Sequence, residues 1–137
     1  MSRSPGQALC RRLRQGDAIT VIAYGAAVHW AIQTLDAHDA ISCDLIDLRS
    51  LQPLDTETIY TSVRKTGKVI ILQEDSLFGG IASDISALIM EHCFEHLDAP
   101  VKRVASMETP IPFINQLEDQ YLSRDRFEDE LLDLMKY

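Results

Sequence analysis

The chain has 137 residues, 46% of them hydrophobic, which is enough for one domain with a sizeable core. Acidic residues outnumber basic ones by 21 to 13, so the net charge is −8. An acidic surface repels a phosphate backbone, which argues against nucleic acid as a partner. No apolar run approaches the roughly 20 residues of a membrane span, and the start lacks the basic-then-apolar order of a secretory signal.

The first half of the chain alternates strand and helix patterns. Residues 18–24 are rich in β-branched and aromatic side chains and predict a buried strand that stops at Gly25. The period then changes, and an apolar stripe predicts a helix: Val28, Ala31, Ile32 and Leu35. Residues 43–48 predict a second strand. Asp55 as N-cap predicts a helix that ends near Gly67.

The second half continues this alternation. Residues 69–72 predict a third strand, and residues 81–97 predict a long helix that we expect to be largely buried. Residues 101–105 predict a fourth strand, and residues 109–112 a stiff extended connector. A closing helix has an apolar face: Phe127, Leu131, Leu134 and Met135. The pattern predicts an α/β fold, a mostly parallel sheet with helices on both faces.

Two pairs of residues invite a chemical interpretation. His92 and His96 are four apart on one predicted helix, a spacing that suits two metal ligands, but no third ligand is evident and histidines of the core or of an interface are the favoured explanation. Gly79 and Gly80 precede the same helix, whose first amides could hold an anion. Tight packing of the turn is the alternative, because glycine also serves where the backbone approaches closely.

The cysteines and one charged cluster complete the candidates. Cys43 and Cys93 fall in buried elements, where a thiol has a raised pKa and is inert, whereas Cys10 is expected to be exposed. All three are well separated and none forms a CxxC pair, which favours a reducing compartment. A further group near a strand end suggests either a ligand site or an ion pair that holds the following turn: Asp44, Asp47 and Arg49.

Four ordered blocks resemble one family closely: residues 23–29 (AYGAAVH), 46–55 (IDLRSLQPLD), 62–67 (SVRKTG) and 99–104 (APVKRV). They resemble the C-terminal domain of the beta subunit of thiamine-diphosphate-dependent 2-oxo acid dehydrogenases, a member of the transketolase C-terminal fold. The resemblance implies a three-layer, mostly parallel five-stranded sheet with helices on both faces. It also implies that residues 17–137 are the domain, and that residues 1–16 comprise four added residues, 1–4, and a linker.

The resemblance implies a parent enzyme that oxidatively decarboxylates a 2-oxo acid and passes the acyl group to the lipoamide of a dihydrolipoyl acyltransferase. Branched-chain acids are favoured and pyruvate comes next. Thiamine diphosphate and magnesium would belong to other parts of the parent, so this domain would bind no cofactor and be inactive alone. Its partners would be alpha and beta subunits in an alpha2beta2 tetramer and the acyltransferase. The parent would be cytoplasmic in a bacterium and in the mitochondrial matrix in a eukaryote.

Two residues match family positions that face basic side chains of the acyltransferase: Asp98 and the terminal carboxylate on Tyr137. An ordinary helix-end aspartate and a frayed terminus are the alternative explanation. The chain departs from the family at residues 73–76, where QEDS replaces the frequent His-Glu-Ala-Pro, so a role for that histidine does not transfer. Two other functions stay open: a C-terminal domain of a transketolase or deoxyxylulose-phosphate synthase, and an independent α/β module that binds a small anion.

Overall fold

A computed structural model describes residues 9–106 and 124–137. Within these ranges the chain forms five strands, four α-helices and one 3-10 turn. The elements in chain order are β1 (Cys10–Arg14), β2 (Ile19–Ala23), α1 (Ala26–Ala37), β3 (Cys43–Leu48), α2 (Thr56–Thr66), β4 (Val69–Ser76), α3 (Ile81–Cys93), the 3-10 turn (Phe94–His96), β5 (Lys102–Ser106) and α4 (Arg124–Leu134). The expected connector at residues 109–112 lies outside the described residues.

The strands form one sheet in the order β1-β3-β2-β4-β5. β2 is parallel to β3 and to β4, and β4 is parallel to β5, whereas β1 runs antiparallel to β3. The predicted mostly parallel, five-stranded sheet is therefore confirmed. β1 itself comes from the segment that the sequence assigned to a linker, because three arginines in five residues do not look like a strand pattern.

Two hydrophobic clusters cover the two faces of the sheet. Alternate residues of β2 point to opposite clusters: Val21 lies in one with α1 and α4, and Ile22 in the other with α2 and α3. Phe127 of α4 is fully buried in the first cluster, and Trp30 of α1 is partly buried against it. The arrangement is the expected three-layer α/β architecture.

The ends of α2 follow the sequence signals closely. The Asp55 carboxylate accepts a hydrogen bond from the backbone N–H of Thr58 at 3.2 Å, as an N-cap does. Gly67 ends the helix in the left-handed conformation, with φ of 74°. The predicted helix between these two residues is confirmed.

Helix α3 differs from its prediction in length and in exposure. It ends at Cys93, and the 3-10 turn continues the chain to His96. Its buried residues lie on one side only: Ala82, Ile85, Ile89 and Cys93. Met90 and, in the turn, Phe94 are exposed on the other side. The expectation of a largely buried helix was wrong, because the sheet and α2 cover only part of α3 and leave Met90 exposed.

Parallel strands give this sheet two different edges. We call the side where β2, β3, β4 and β5 end the carboxyl edge, and the side where they start the amino edge. From β2 the chain goes first to β3 on one side and then, after α2, to β4 on the other. The carboxyl ends of β2 and β4 thus flank the switch point at which sheets of this kind bind ligands.

Candidate functional site

At the switch point, the Glu74 carboxylate lies at the N-terminus of α1, where an anionic ligand could otherwise bind. The backbone N–H of Ala26, in the first turn of α1, donates to Glu74 Oε1 at 2.6 Å. Gly25 permits this contact, since it has a positive φ of 63° and its missing Cβ would lie 3.1 Å from the same oxygen. A helix N-terminus attracts anions, and Glu74 supplies one from within the chain.

Tyr24 lies beside this contact. Its hydroxyl donates to Asp75 Oδ2 at 3.4 Å. Burial, together with the charges of Asp75 and Glu74, raises the pKa of the Tyr24 phenol to about 12. The tyrosine therefore stays protonated at neutral pH and acts as a hydrogen-bond donor to the carboxylate.

Gln73 stands where the family often has histidine, and it has a structural role here. Its side chain is fully buried, donates from Nε2 to Ser76 O at 2.9 Å, and accepts from the backbone N–H of Ala82 at 2.9 Å. A Cβ on Gly80 would collide with this amide and would lie 2.8 Å from Ser76 O. The geometry favours the tight-packing interpretation of Gly80 over the anion-binding one.

The charged cluster predicted at one strand end is divided between both edges. Asp47 and Arg49 lie at the carboxyl end of β3, with 3.9 Å between carboxylate and guanidinium. Asp44 is the second residue of β3 and lies at the amino edge. The prediction that the three residues share one strand end was wrong, because six residues of strand span the sheet from edge to edge.

Asp44 is the centre of a buried polar network that sequence reasoning did not find. Its carboxylate is fully buried and lies 3.0 Å from Arg12 Nε and 3.1 Å from Lys65 Nζ. Ser62 donates to it at 2.5 Å, and Thr20 continues the network to Ser62 at 2.7 Å. Two cations and a hydroxyl compensate one desolvated charge, and they join β1, β2, β3 and α2.

The cysteines are free thiols, in accordance with the prediction. Burial raises the pKa of Cys43 to about 12 and also raises that of Cys93, which makes both unreactive. Cys10 is half-buried rather than exposed, and its Sγ donates to Asp55 Oδ2 at 3.4 Å. Burial raises its pKa as well, so it is not an activated nucleophile.

The two histidines do not share a helix face. His92 is on α3, whereas His96 is in the 3-10 turn, and both are exposed. The His92 ring stacks on Tyr60 with centroids 4.8 Å apart. Among the residues that the structure describes, no three His, Cys, Asp or Glu side chains converge as metal ligands.

The two predicted partner-binding residues, Asp98 and Tyr137, both lie at the amino edge, where they contact Gly67 and Lys68, respectively. The exposed Asp98 donates its backbone N–H to Gly67 O at 2.8 Å, and its carboxylate lies against the α-carbon of Gly67. Lys68 Nζ donates to the main-chain oxygen of Tyr137 at 2.7 Å. The fold thus brings two residues that are 39 positions apart in sequence to the start of β4.

Comparison with known families matches residues 8–126 to the model of the transketolase C-terminal domain. The chain belongs to this family. The match begins ahead of β1, and it includes both edges of the sheet described above.

Similar transketolase C-terminal domains occur in beta subunits of 2-oxo acid dehydrogenases. The 2-oxoisovalerate dehydrogenase subunit beta of Bacillus subtilis is 41% identical over 128 residues, which are 90% of this chain and 39% of the relative. The mitochondrial subunit of Dictyostelium discoideum is 46% identical over 107 residues, 76% of this chain and 29% of the relative. The pyruvate dehydrogenase beta subunit of Rickettsia bellii is 38% identical, covering 77% of this chain and 33% of the relative. The chain spans less than half of each relative.

Solved structures show the same fold. A split-gene transketolase, described as an inactive beta4 tetramer, aligns with a TM-score of 0.81 and 24% identity over 99% of this chain and 44% of its own. A 2-oxoglutarate:ferredoxin oxidoreductase from Magnetococcus marinus aligns with a TM-score of 0.59 and 10% identity over 92% of this chain and 19% of its own. At these identities the likeness concerns architecture. None of the helices in the described residues is long and apolar enough to cross a bilayer.

The thiamine diphosphate and magnesium that the family resemblance implies do not fit the described residues. A diphosphate at the switch point would have to displace the Glu74 carboxylate from the backbone N–H of Ala26 in α1.

Sequence reasoning missed the central role of Asp44 and the closure by Glu74. Each depends on contacts between residues far apart in the chain: 18 positions from Asp44 to Ser62, and 48 from Ala26 to Glu74. The glycine at position 25, directly after a strand, was the one local signal of a close approach at the switch point.

Proposed function

We propose that this chain is the assembly domain of the decarboxylating component of a 2-oxo acid dehydrogenase complex. It would associate alpha and beta subunits into an alpha2beta2 tetramer and help to dock the dihydrolipoyl acyltransferase. The observation that carries this proposal is the Glu74 contact with the backbone N–H of Ala26, by which the chain's own carboxylate occupies an amide of α1 at the switch point of a domain similar to these beta subunits.

The activity belongs to the whole parent protein. It would decarboxylate a 2-oxo acid with thiamine diphosphate and magnesium, which other parts would bind, and transfer the acyl group to lipoamide. Branched-chain acids are favoured over pyruvate, in line with 41% and 46% identity to 2-oxoisovalerate dehydrogenase subunits against 38% to a pyruvate dehydrogenase subunit. The parent would work in the bacterial cytoplasm or in the mitochondrial matrix.

A chimeric subunit tests the assembly role. This chain would replace the matching segment of the Bacillus subtilis beta subunit, and the chimera would be expressed with its alpha subunit. We expect a tetramer that keeps the substrate preference of the Bacillus enzyme, because the domain contributes association rather than substrate selection. Decarboxylation by the 137-residue chain alone, supplied with thiamine diphosphate and magnesium, would contradict the proposal.

The docking role is assigned to Asp98 and to the carboxylate of Tyr137. Asp98 is exposed, and its backbone is fixed by Gly67, so its carboxylate is presented in a defined position. Lys68 donates to the main-chain oxygen of Tyr137, so a lysine of the chain itself already faces that end. We therefore expect Asp98 to attract a basic partner more strongly than Tyr137 does.

Titration calorimetry of the chain against the peripheral-subunit-binding domain of a branched-chain acyltransferase tests this assignment. Asp98→Asn should weaken binding about fivefold, the equivalent of roughly 1 kcal/mol for an exposed charge pair. The difference should shrink at high salt, since salt screens exposed charges.

Asp84→Asn is the matched control, because Asp84 is an exposed aspartate in the first turn of α3, at the carboxyl edge. It should bind like the parent chain. Equal affinity of Asp98→Asn and the parent chain would remove Asp98 from the interface. Absence of binding by the parent chain at low salt would overturn the docking role altogether.

A further inference from the structure

The outward side of α3 carries an apolar pair that nothing in the described residues covers. Met90 is 45% exposed, and Phe94, four residues later in the 3-10 turn, is 66% exposed. Both line one groove of about 630 Å³, together with Glu91, His92, Glu95 and His96. Single exposed apolar side chains are ordinary on a protein surface, but two in one groove indicate a contact site.

One wall of this groove is held in place before any partner arrives. The His92 ring stacks on Tyr60 at an interplanar angle of 14°, and its Nδ1 lies 2.9 Å from Leu88 O. Arg64 donates to the main-chain oxygen of His92 at 3.3 Å and lies 5.8 Å above the Tyr60 ring. A wall that is already ordered lowers the entropic cost of binding.

The groove is acidic as well as apolar. Glu91 and Glu95 are exposed, and neither forms an ion pair or a hydrogen bond within the described ranges. The α3 helix runs from the carboxyl edge to the amino edge, so its final turn lies at the edge that also presents Asp98. The apolar pair is therefore flanked by two glutamates without an ion pair in the described part of the chain, and Arg64 is the one cation that the preceding contacts place on the adjoining wall.

The negative charge of Glu91 and Glu95 distinguishes between two possible occupants of the groove, a second copy of the chain and a basic partner. A second copy of the chain would place the same patch against itself, so four glutamates would meet between two molecules of net charge −8. A basic partner would instead gain attraction from each of these carboxylates. Complementarity favours the basic partner.

We infer that the groove containing Met90 and Phe94 binds an apolar side chain on the basic surface of the acyltransferase's subunit-binding domain. This inference rests on the proposed docking function and extends it from Asp98 to the outward side of α3. Asp98 would supply electrostatic attraction and register, and the apolar pair would supply the desolvated centre of the contact.

Calorimetry with the same subunit-binding domain tests the inference. Phe94→Ser should weaken binding about tenfold, as expected for an apolar residue at the centre of an interface. The heat-capacity change of binding should become less negative, because less apolar surface is buried. The salt dependence should stay as in the parent chain, which separates this effect from that of Asp98→Asn.

The chain offers a matched control in Phe78, which is 85% exposed in the turn at the carboxyl edge. Phe78→Ser makes the same chemical change and should leave binding unaltered. Circular dichroism should show that both variants keep the parent fold, since neither side chain is buried. Met90→Ser should weaken binding in the same direction as Phe94→Ser.

The outcomes separate the two proposals. Binding that is weakened by Asp98→Asn but not by Phe94→Ser or Met90→Ser would overturn the inference and leave the docking function intact. No binding by the parent chain would overturn both. Sedimentation that reveals a dimer of the chain, dissociated by Phe94→Ser, would assign the groove to a second copy and likewise overturn the inference.

Discussion

The buried and partnered polar side chains at the carboxyl edge and at the amino edge of this sheet have different roles. At the carboxyl edge, Glu74 and Gln73 accept hydrogen bonds from backbone N–H groups in the first turns of α1 and α3, respectively. At the amino edge, Asp44 is compensated inside the sheet, while Asp98 and Phe94 remain exposed around it. Parallel sheets usually bind ligands at the carboxyl edge. Under the proposed docking the partner would meet the amino edge instead, so that the architecture alone would not determine the binding edge.

The largest effect should come from the buried charge at the amino edge. Asp44→Ala would leave the buried Ser62 hydroxyl without this acceptor, and the partly exposed Arg12 and Lys65 without their carboxylate, so it should cost about 1–3 kcal/mol of unfolding free energy. Urea denaturation measures the loss. Asp47→Ala, which removes the partly exposed carboxylate at the other end of the same strand, should cost less than about 1 kcal/mol. Similar losses for both variants would show that the two edges are equivalent in stability.

A smaller effect is expected at the carboxyl edge. Glu74→Ala should lower the unfolding free energy by about 1 kcal/mol, because an N-terminal amide of α1 loses its acceptor. Glu74→Gln keeps an acceptor oxygen and should lose less. Sulfate should then raise the melting temperature of Glu74→Ala more than that of the parent chain, since the freed amides attract an anion. An equal rise in melting temperature for both proteins would mean that Glu74 does not prevent an anion from binding at the N-terminus of α1.

The smallest effect concerns pH. The pKa of Tyr24 is raised from its ordinary value of 10 to about 12. Between these values the unfolded chain loses the phenolic proton and the folded chain keeps it, so stability falls as pH rises. Tyr24→Phe should flatten this alkaline decline, as followed by urea denaturation at several pH values. An identical decline in both proteins would place its cause elsewhere.

Local sequence signals correctly predicted the elements that begin or end at a capping or turn residue. Asp55 and Gly67 delimited α2 correctly, and the β-branched runs located β2 and β3 within a residue at each end. The strand β1 was not predicted, because its three arginines interrupt the apolar pattern of a strand. Its pairing with β3 identifies it in the structure. Short-range sequence patterns thus predicted the parallel strands of the core, whereas the edge strand β1 can be assigned only from its long-range pairing with β3.

The candidate site was less accessible to sequence reasoning. The apolar residues around α3 suggested burial, since a helix that is hydrophobic on most sides is usually enclosed. The structure encloses Ile85 and Ile89 but leaves Met90 and Phe94 open. Periodicity tells how many sides of a helix are apolar, but it does not tell whether a neighbour in the same chain covers them. That distinction is the basis of the proposed contact.

Trp30 has an optical consequence. It is the single tryptophan of the chain, and it packs against the hydrophobic cluster that contains α1 and α4. The sheet separates that cluster from α3. Indole fluorescence should therefore report the loss of native packing around α1 and α4. The signal should be the same whether the groove on the opposite face is empty or occupied. A single sample could then report unfolding through its emission and complex formation through an independent dye on the partner.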